Sequence, residues 1–369
     1  MAEGIDTTAK GKGSSFSGKI AVLTNIPSQT QNDEEIWSAE QLMVKYGSDK
    51  VVHATWPNFF MQDREQVNAV IAPLAVDREV KVVIMNKSIQ GCNAAIDKLR
   101  SIRDDIFVIY CVVTEPPSNT AMRAHLMLDA DDISQGPLIV KQAKKQGAKA
   151  FVHYSFPRHL AVAPLGRRRD LIQEACAAEG LRFLNAIALD PTDDMYAAQQ
   201  FILDDVSKQV AKYGEDTAFF CTNCFLQVPL IRAVVDCRAI YPQPCCPSPF
   251  HGFPEALGIE MPGLETPPHS FVINETRRIA ASKNMTGRLS SWPISLSMMF
   301  THVGAEYAIK WINGQVPKTG IDDKVLMDCI KSYIKEVSGD DLEISMTSYS
   351  EQGVTYDNFK LLLMDYLDY

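Results

Sequence analysis

The chain has 369 residues, of which 46% are hydrophobic and 22% charged, the composition of an ordinary globular protein. This length exceeds what a single core usually fills, so two domains are expected. The formal net charge of −9 excludes nucleic acid as the main partner, because phosphate binding needs a basic face. The basic cluster at 167–169 is too short to change that conclusion.

The first 18 residues are rich in Gly, Ser, Thr and Lys, which predicts a flexible tether over residues 1–18. They lack the apolar stretch of a signal peptide, and no run in the chain reaches the ~18 apolar residues that a membrane helix needs. Two origins fit this pattern, a cytosolic protein and the mature form of an exported one.

Strands and helices alternate along the chain after the tether, as in a parallel sheet covered by helices. The predicted strands lie at 20–23, 50–54, 80–85, 106–113, within 125–136, and at 149–154, 182–188 and 216–221. The predicted helices lie at 33–47, 63–78, 90–104, 137–147, 167–180, 194–213, 226–236, 293–313, 321–336 and 357–367. The fold class predicted is α/β, with two doubly wound parallel-sheet lobes joined by about three crossover strands.

The expected division of the chain follows from where the pattern restarts near residue 135. Residues 19–132 together with about 270–315 are predicted to form lobe 1. Residues 133–269, with about 316–369 as a C-terminal extension, are predicted to form lobe 2. In doubly wound sheets the carboxyl ends of the strands face one crevice, where ligands bind. A ligand cleft between the lobes is therefore expected.

Nine cysteines, an odd number, do not form a disulfide framework. Five of them crowd into one stretch: Cys221, Cys224, Cys237, Cys245 and Cys246. Zinc sites normally use repeated CxxC pairs or CxxC with His, and the adjacent Cys245 and Cys246 disfavour one shared tetrahedral ion. Buried free thiols and no metal are expected, and a Cys221–Cys224 disulfide stays open for an oxidising compartment.

Enzyme motifs are absent from the sequence, which has no GxSxG, no GxxxxGK[ST] and no HExxH. None of the seven histidines has a short metal-ligand spacing. The prediction is a protein that is not an enzyme, with no catalytic residues and no cofactor. A Cys/His hydrolase stays open, since such pairs meet in space and not in sequence.

Four segments carry a family resemblance. The turn at 131–136 resembles an Asp-Asn-x-x-Gly turn between lobes, and 167–180 resembles an Arg-led helix of the second lobe. Thr222-Asn223 resembles an Asn-Asp turn, with Cys224 in place of the Asp, and His251-Gly252-Phe253 stands where a Phe-Asp-Gly turn is common. On these residues, roughly 18–315 resembles the type 1 periplasmic-binding-protein superfamily. That superfamily includes sugar-binding proteins of ABC importers, nucleoside binders and LacI-type effector domains, and the chain looks most similar to a lipoprotein-like branch.

Polar or aromatic side chains at the predicted strand tips are the candidate ligand contacts. Amides both donate and accept, Trp can stack on a flat ring, and Arg can pair with an anionic group. The candidates are Asn25, Trp56, Asn86, Glu115, Tyr154, Ser155, Arg158, Arg167, Asn223 and His251. For each, the alternative is a structural role: core packing for Trp56, turn or cap formation for the amides, and solvated surface for the arginines.

The function expected from the resemblance is that of an extracytoplasmic solute-binding protein. It would capture a small polar ligand, such as a sugar or nucleoside, by hinge closure and present it to an ABC permease. Contact with a membrane would be through a lipid anchor only. The alternative is the ligand-sensing effector domain of a transcriptional regulator or receptor, although 18 leading residues are too few for a helix-turn-helix head.

Overall fold

The computed structural model describes residues 15–26, 33–57, 64–261 and 269–369. Its strands are β1 Lys19–Thr24, β2 Val51–Thr55, β3 Val80–Met85, β4 Phe107–Cys111, β5 Leu126–Ala130, β6 Ala150–Ser155, β7 Arg182–Ile187, β8 Thr217–Cys221, β9 Ser290–Ser291, β10 Ile344–Glu351, β11 Val354–Met364 and β12 Leu367–Asp368. Its helices are α1 Asp33–Tyr46, α2 Arg64–Val76, α3 Cys92–Ile102, α4 Pro117–Ala121, α5 Asp132–Lys145, α6 Pro157–Leu160, α7 Ala163–Glu179, α8 Met195–Tyr213, α9 Gln227–Asp236, α10 Phe253–Leu257, α11 His269–Ser282, α12 Leu296–Ile312 and α13 Asp323–Ser338. No helix within the described ranges is long and apolar enough to cross a membrane.

The first sheet has seven strands in the order β10-β11-β5-β4-β3-β1-β2. Its central strands are apolar at nearly every position because helices cover both faces of the sheet. One face packs against α2 and α3, and the other against α1, α12 and α13. Gly304 of α12 lets that helix approach closely, since an added Cβ would lie 3.0 Å from the side chain of Ile109 in β4.

The second sheet has the order β7-β6-β8, with all pairings parallel. Its two faces are covered by α5 with α7 and by α8 with α9. Single bridges extend it past β8, from Ala218 to Ile240 and from Tyr241 to Leu289. The antiparallel pair β9 and β12 follows. The result is a second lobe with its own core.

The chain passes between the two sheets at three places, in agreement with the expected number. The first passage joins β5 to α5, where Asp131 caps the helix by accepting a hydrogen bond from the Ser134 amide at 2.9 Å. The second leaves the Tyr241 bridge and reaches α12. The third joins β11 to β12. The two-lobed α/β fold class is confirmed.

The C-terminal segment differs from the prediction in two ways. Residues 357–367 were predicted as a helix, but 357–364 belong to strand β11, whose residues 359–362 pair in parallel with β5, and Leu367 begins β12. Gln352 and Gly353 both have positive φ, 50° and 80°, as the two-residue hairpin turn between β10 and β11 requires. Residues 344–364 therefore extend the first sheet, where we had expected lobe 2, and β12 pairs with β9 in the second lobe.

Burial of a histidine in β6 gives a prediction about stability. His153 is fully buried, and neither of its ring nitrogens has a hydrogen-bond partner among the described residues. Burial lowers its pKa to about 3, so the folded state holds the ring neutral. Below the unfolded pKa of about 6.5, His153 binds a proton in the unfolded chain but not in the folded chain. The free energy of unfolding therefore decreases as the pH falls toward 3.

We expect His153→Leu to be at least as stable as the wild type at pH 7.5, with an advantage that grows by about 1.4 kcal/mol per pH unit below pH 6.5. Urea unfolding followed by circular dichroism at pH 7.5 and 5.5 measures this. His125→Leu is the control and should be destabilising at pH 7.5, because His125 Nδ1 accepts the Val108 amide at 3.0 Å. An equal loss of stability for His153→Leu at both pH values would contradict the account.

Candidate functional site

The strand order of each sheet reverses at one point, and these two points carry the candidate site. In the first sheet β1 and β3 are neighbours, and Asn25 and Lys87 follow their carboxyl ends. In the second sheet β6 and β8 are neighbours, and Ser155 and Thr222 stand at their ends. Crevices at such switch points bind ligands because the connecting loops separate there.

The first lobe contributes two acidic residues at the start of α1. Glu34 and Glu35 are only 2% and 5% exposed. Glu35 accepts hydrogen bonds from Asn25, at 2.8 Å from the backbone amide and 3.3 Å from Nδ2. Burial raises the pKa of Glu35, while the charge of Lys87 acts in the opposite direction. The side of lobe 1 facing the crevice is thus built from a carboxylate, an amide and an ammonium group.

The second lobe contributes a chain of polar groups. Ser155 Oγ lies 2.8 Å from Thr222 Oγ1, which lies 3.1 Å from His159 Nδ1. The other ring nitrogen, Nε2, is 3.4 Å from Asn223 Nδ2. Burial lowers the pKa of His159 to about 4, so the ring is neutral at pH 7. A neutral imidazole can donate through one nitrogen and accept through the other, which suits a ligand with hydroxyl groups.

Three cysteines and a histidine meet beside these groups. The ligand atoms of Cys224, Cys245, Cys246 and His251 all lie within 4.8 Å of one another. The Cys245 Sγ is 3.4 Å from Cys224 Sγ and 3.6 Å from His251 Nε2. Cys246 Sγ is 3.9 Å from Cys224 Sγ and 4.0 Å from Cys245 Sγ. The loop turns the adjacent thiols of Cys245 and Cys246 toward the same point, an arrangement that their spacing in the sequence disfavours.

This cluster, hereafter the Cys3His cluster, is electrostatically linked to both lobes. Hydrogen bonds from Cys245 and Cys246 hold the pKa of Cys224 well below its usual range. Burial opposes the charge on Lys87, yet Cys224 and Glu35 together raise the pKa of its ammonium group. Burial likewise opposes the charge on His251, and contact with Cys224 and Glu34 nevertheless raises the pKa of its ring to about 9.

Glu34 joins the first lobe to the segment that carries the cluster. Its Oε1 is 3.7 Å from His251 Nδ1, and its Oε2 accepts a hydrogen bond from Ser248 at 2.7 Å. The hydroxyl of Ser295, the N-cap of α12, also donates to Oε2. A buried carboxylate needs such donors, and here they come from the second passage and from α12.

Comparison with known proteins places this architecture in a family. A family model matches residues 18–290, which is more than half of the chain. The chain belongs to the family described as "Protein of unknown function (DUF3798)". Two proteins of Treponema pallidum (strain Nichols), each described as uncharacterized, are 29% identical to this family member over 194 and 178 residues. The alignments cover 52% and 47% of this chain and 88% and 80% of the relatives.

Solved structures show which fold the family has. A protein from Clostridium difficile 630 described as a candidate transcriptional regulator has a TM-score of 0.75 at 20% identity, covering 96% of this chain and 99% of its own. A periplasmic solute-binding protein from Actinobacillus succinogenes 130z with bound D-allose has a TM-score of 0.54 at 16% identity, covering 84% and 99%. A periplasmic ribose ABC transporter protein from Conexibacter woesei has a TM-score of 0.53 at 10% identity, covering 83% and 90%. The fold is that of the type 1 periplasmic-binding-protein superfamily, as the sequence resemblance predicted.

Four of the residues predicted as ligand contacts stand at the crevice of this family member. These are Asn25, Ser155, Asn223 and His251. Asn223 also caps the 3-10 turn at Cys224–Leu226, because its Oδ1 accepts the Phe225 amide at 2.9 Å. The side-chain oxygen of Asn223 thus caps the turn, while its side-chain nitrogen lies near His159.

Three predicted residues lie in the lobe cores. Trp56 is 1% exposed, and its indole donates to the Lys87 carbonyl at 3.0 Å, which fixes the β3 tip. Asn86 is fully buried and donates to the Ser297 carbonyl at 2.8 Å. Tyr154 is fully buried, and its hydroxyl donates to Asp205 at 2.7 Å. In this structure the three side chains support the strand tips from within.

The remaining three predicted residues pair with local partners. Glu115 accepts the Asn93 amide at 2.8 Å, near the N-terminus of α3. The exposed Arg158 makes two hydrogen bonds with Asp190, at 2.7 and 2.8 Å. The exposed Arg167 pairs with Glu174 at 3.3 Å.

Sequence reasoning missed several residues of the crevice. These are Glu34, Glu35, Lys87, His159, Thr222, Cys224, Cys245 and Cys246. Lys87, His159 and Thr222 each lie one to five residues from a predicted strand tip, so extending each tip to its following turn would have found them. The two glutamates and the cysteine loop are brought to the crevice only by the tertiary fold.

A second depression, of about 630 Å³, lies away from the crevice. It is lined by α13 and the β10–β11 hairpin, with Leu138 of α5 at its border. Its polar lining residues are Lys331, Asp341, Glu343, Ser345 and Asp365, among aliphatic side chains, and none of them is an amide or an imidazole.

Because Asn86 is buried, a structural role for its side chain can be tested separately from a role in ligand contact. We expect Asn86→Ala to lower the free energy of unfolding by about 1–3 kcal/mol, because the Ser297 carbonyl and the hydroxyls around it lose their donor. Urea denaturation monitored by fluorescence measures the change. Asn119→Ala, at an exposed position, is the matched control and should change stability by less than about 0.5 kcal/mol. Equal effects of the two substitutions would show that Asn86 does not support the β3 tip.

Proposed function

We propose that this protein is an extracytoplasmic solute-binding protein that captures a small polar ligand between its two lobes. The proposal is supported by the electrostatic interaction of Cys224, just after β8, with Lys87 and Glu35 of the first lobe, which brings the two switch points close together. Carboxylate, amide and ammonium groups of the first lobe stand opposite hydroxyl, imidazole and amide groups of the second. Few ligands other than polar, hydroxyl-bearing ones match so many donors and acceptors.

Capture follows from hinge motion at the three passages. A ligand that contacts both lobes binds the closed form better than the open form and shifts the population toward closure. Lys87 and Asn25 would hold it from the first lobe, and Ser155 and Asn223 from the second. No bond of the ligand has to be made or broken, so no catalytic residue is assigned.

We also propose that the closed protein delivers its ligand to an ABC permease. Support comes from solved relatives described as periplasmic solute-binding proteins, whose likeness to this chain is one of fold. The same proposal includes a location of the protein outside the cytoplasm and its attachment to the membrane through a lipid anchor. A sensing domain would use the same closure, and the fold likeness to the Clostridium difficile protein supports it equally.

A thermal-shift screen of sugars, nucleosides, amino acids and vitamins tests ligand capture. We expect one chemical class to raise the melting temperature, since a ligand that binds only the folded state stabilises by about 2.7 kcal/mol at one hundred times Kd. The protein is first unfolded, dialysed and refolded to remove any ligand that was co-purified. A screen with no shift in any class would contradict the proposal.

The crevice assignment is tested with the compound that gives the shift. Ser155→Ala and Lys87→Met should each weaken binding about tenfold or more, because each removes a hydrogen-bonding group that faces the ligand. Lys149→Met is the matched control, since Lys149 is exposed and pairs with Asp216 on the surface of the second lobe. Titration calorimetry measures the three affinities. Equal affinity in all three variants would place the ligand elsewhere.

A further inference from the structure

We propose that Cys224, Cys245, Cys246 and His251 bind one Zn²⁺ ion with tetrahedral coordination. This inference goes beyond solute capture, because the ion would be a permanent part of the protein and needs no transported ligand. The four donors come from two separate stretches of chain, Cys224 just after β8 and the other three from the loop at 242–252. Soft thiolates with one imidazole are the donor set that zinc prefers among the common divalent ions.

The distances between the donors fit a zinc tetrahedron. Zinc–sulfur bonds of about 2.3 Å and zinc–nitrogen bonds of about 2.0 Å require donors about 3.8 Å apart for two sulfurs and about 3.5 Å apart for sulfur and nitrogen. The three sulfur–sulfur distances are 3.4, 3.9 and 4.0 Å. The distance from Cys245 Sγ to His251 Nε2 is 3.6 Å. An ion at the centre would need only small movements of the side chains.

The loop that carries three of the donors gives an independent reason for a metal. Residues 242–252 form no helix or strand, yet every one of them except Cys246 is buried. Irregular backbone is usually exposed, because buried peptide groups need partners. Four prolines stiffen this loop at Pro242, Pro244, Pro247 and Pro249. A metal ion that joins this loop to the carboxyl end of β8 would stabilise a buried segment that has no regular secondary structure and little contact with solvent.

Gly252 shows how tightly the loop closes after its last donor. Its φ is +81°, a region that favours glycine, and an added Cβ would lie 3.1 Å from Ile231 and 3.2 Å from Gln227. The turn therefore brings His251 back over α9 to reach the cysteines. The sequence places the one residue type that can make this turn directly after the histidine.

Groups around the cluster complete the outer shell that a zinc site needs. Zinc with three thiolates and a neutral histidine carries one net negative charge, and the partly buried Lys87 supplies a positive charge nearby. Glu34 Oε1, 3.7 Å from His251 Nδ1, would orient the ring, as carboxylates do in many zinc sites. With four protein donors the coordination is closed, which is typical of a structural ion.

The full chain, reduced and stripped with a chelator, is titrated with zinc sulfate and separately with cobalt chloride. We expect one zinc per chain by elemental analysis, with affinity measured against a chromophoric chelator. We also expect the visible absorption of tetrahedral cobalt and a thiolate-to-cobalt charge-transfer band. Either no bound metal at equimolar protein, or a cobalt spectrum without thiolate bands, would overturn the proposal.

Substitutions assign the donors. Cys224→Ser, Cys245→Ser, Cys246→Ser and His251→Ala should each weaken zinc binding at least a hundredfold, whereas Glu34→Gln should weaken it about tenfold. Cys237→Ser is the matched control, a partly buried cysteine of the same lobe outside the cluster, and should bind like the wild type. Far-ultraviolet circular dichroism of the metal-free proteins identifies any variant that fails to fold. The cobalt spectrum of the wild type tests the proposal even if a variant does not fold. Wild-type affinity in the four donor variants would overturn the proposal, as would a disulfide within the cluster that persists under reducing conditions.

Discussion

The contact that the crevice depends on is the buried carboxylate of Glu34. A carboxylate that is 2% exposed is costly unless donors surround it. Its donors are Ser248 of the second passage and Ser295 at the start of α12, and His251 lies next to it. One side chain thereby fixes the position of α1, the entry to α12 and the loop with the Cys3His cluster. The proposed solute capture and the proposed zinc site both rest on that arrangement.

Much of the fold could be predicted because buried parallel strands and amphipathic helices leave strong patterns. The strands β1, β3, β6 and β8 and their following helices were placed within a few residues. The C-terminal hairpin was not, because the apolar run at 361–363 fits a helix and a strand equally well. What decides it is the free edge of β5, a tertiary partner that periodicity cannot reveal.

The site was predictable in part, for a different physical reason. Asn25, Ser155 and Asn223 lie directly at strand ends, so the parallel sheet alone brings them to the crevice. Trp56 and Asn86 also follow strands, but the direction of their side chains depends on packing that the sequence does not specify. The Cys3His cluster depends on the path of an irregular loop. Spacing along the chain therefore does not predict that Cys245 and Cys246 both reach the cluster.

The most direct test of the central claim is small-angle X-ray scattering of the wild type and Glu34→Ala. If Glu34 holds the cluster-bearing loop against α1 and α12 of the first lobe, its loss leaves Ser248 and Ser295 without their acceptor and the loop detaches from that lobe. The account predicts a larger radius of gyration for the variant, with unchanged secondary structure by circular dichroism. Superimposable scattering curves from two folded proteins would contradict it.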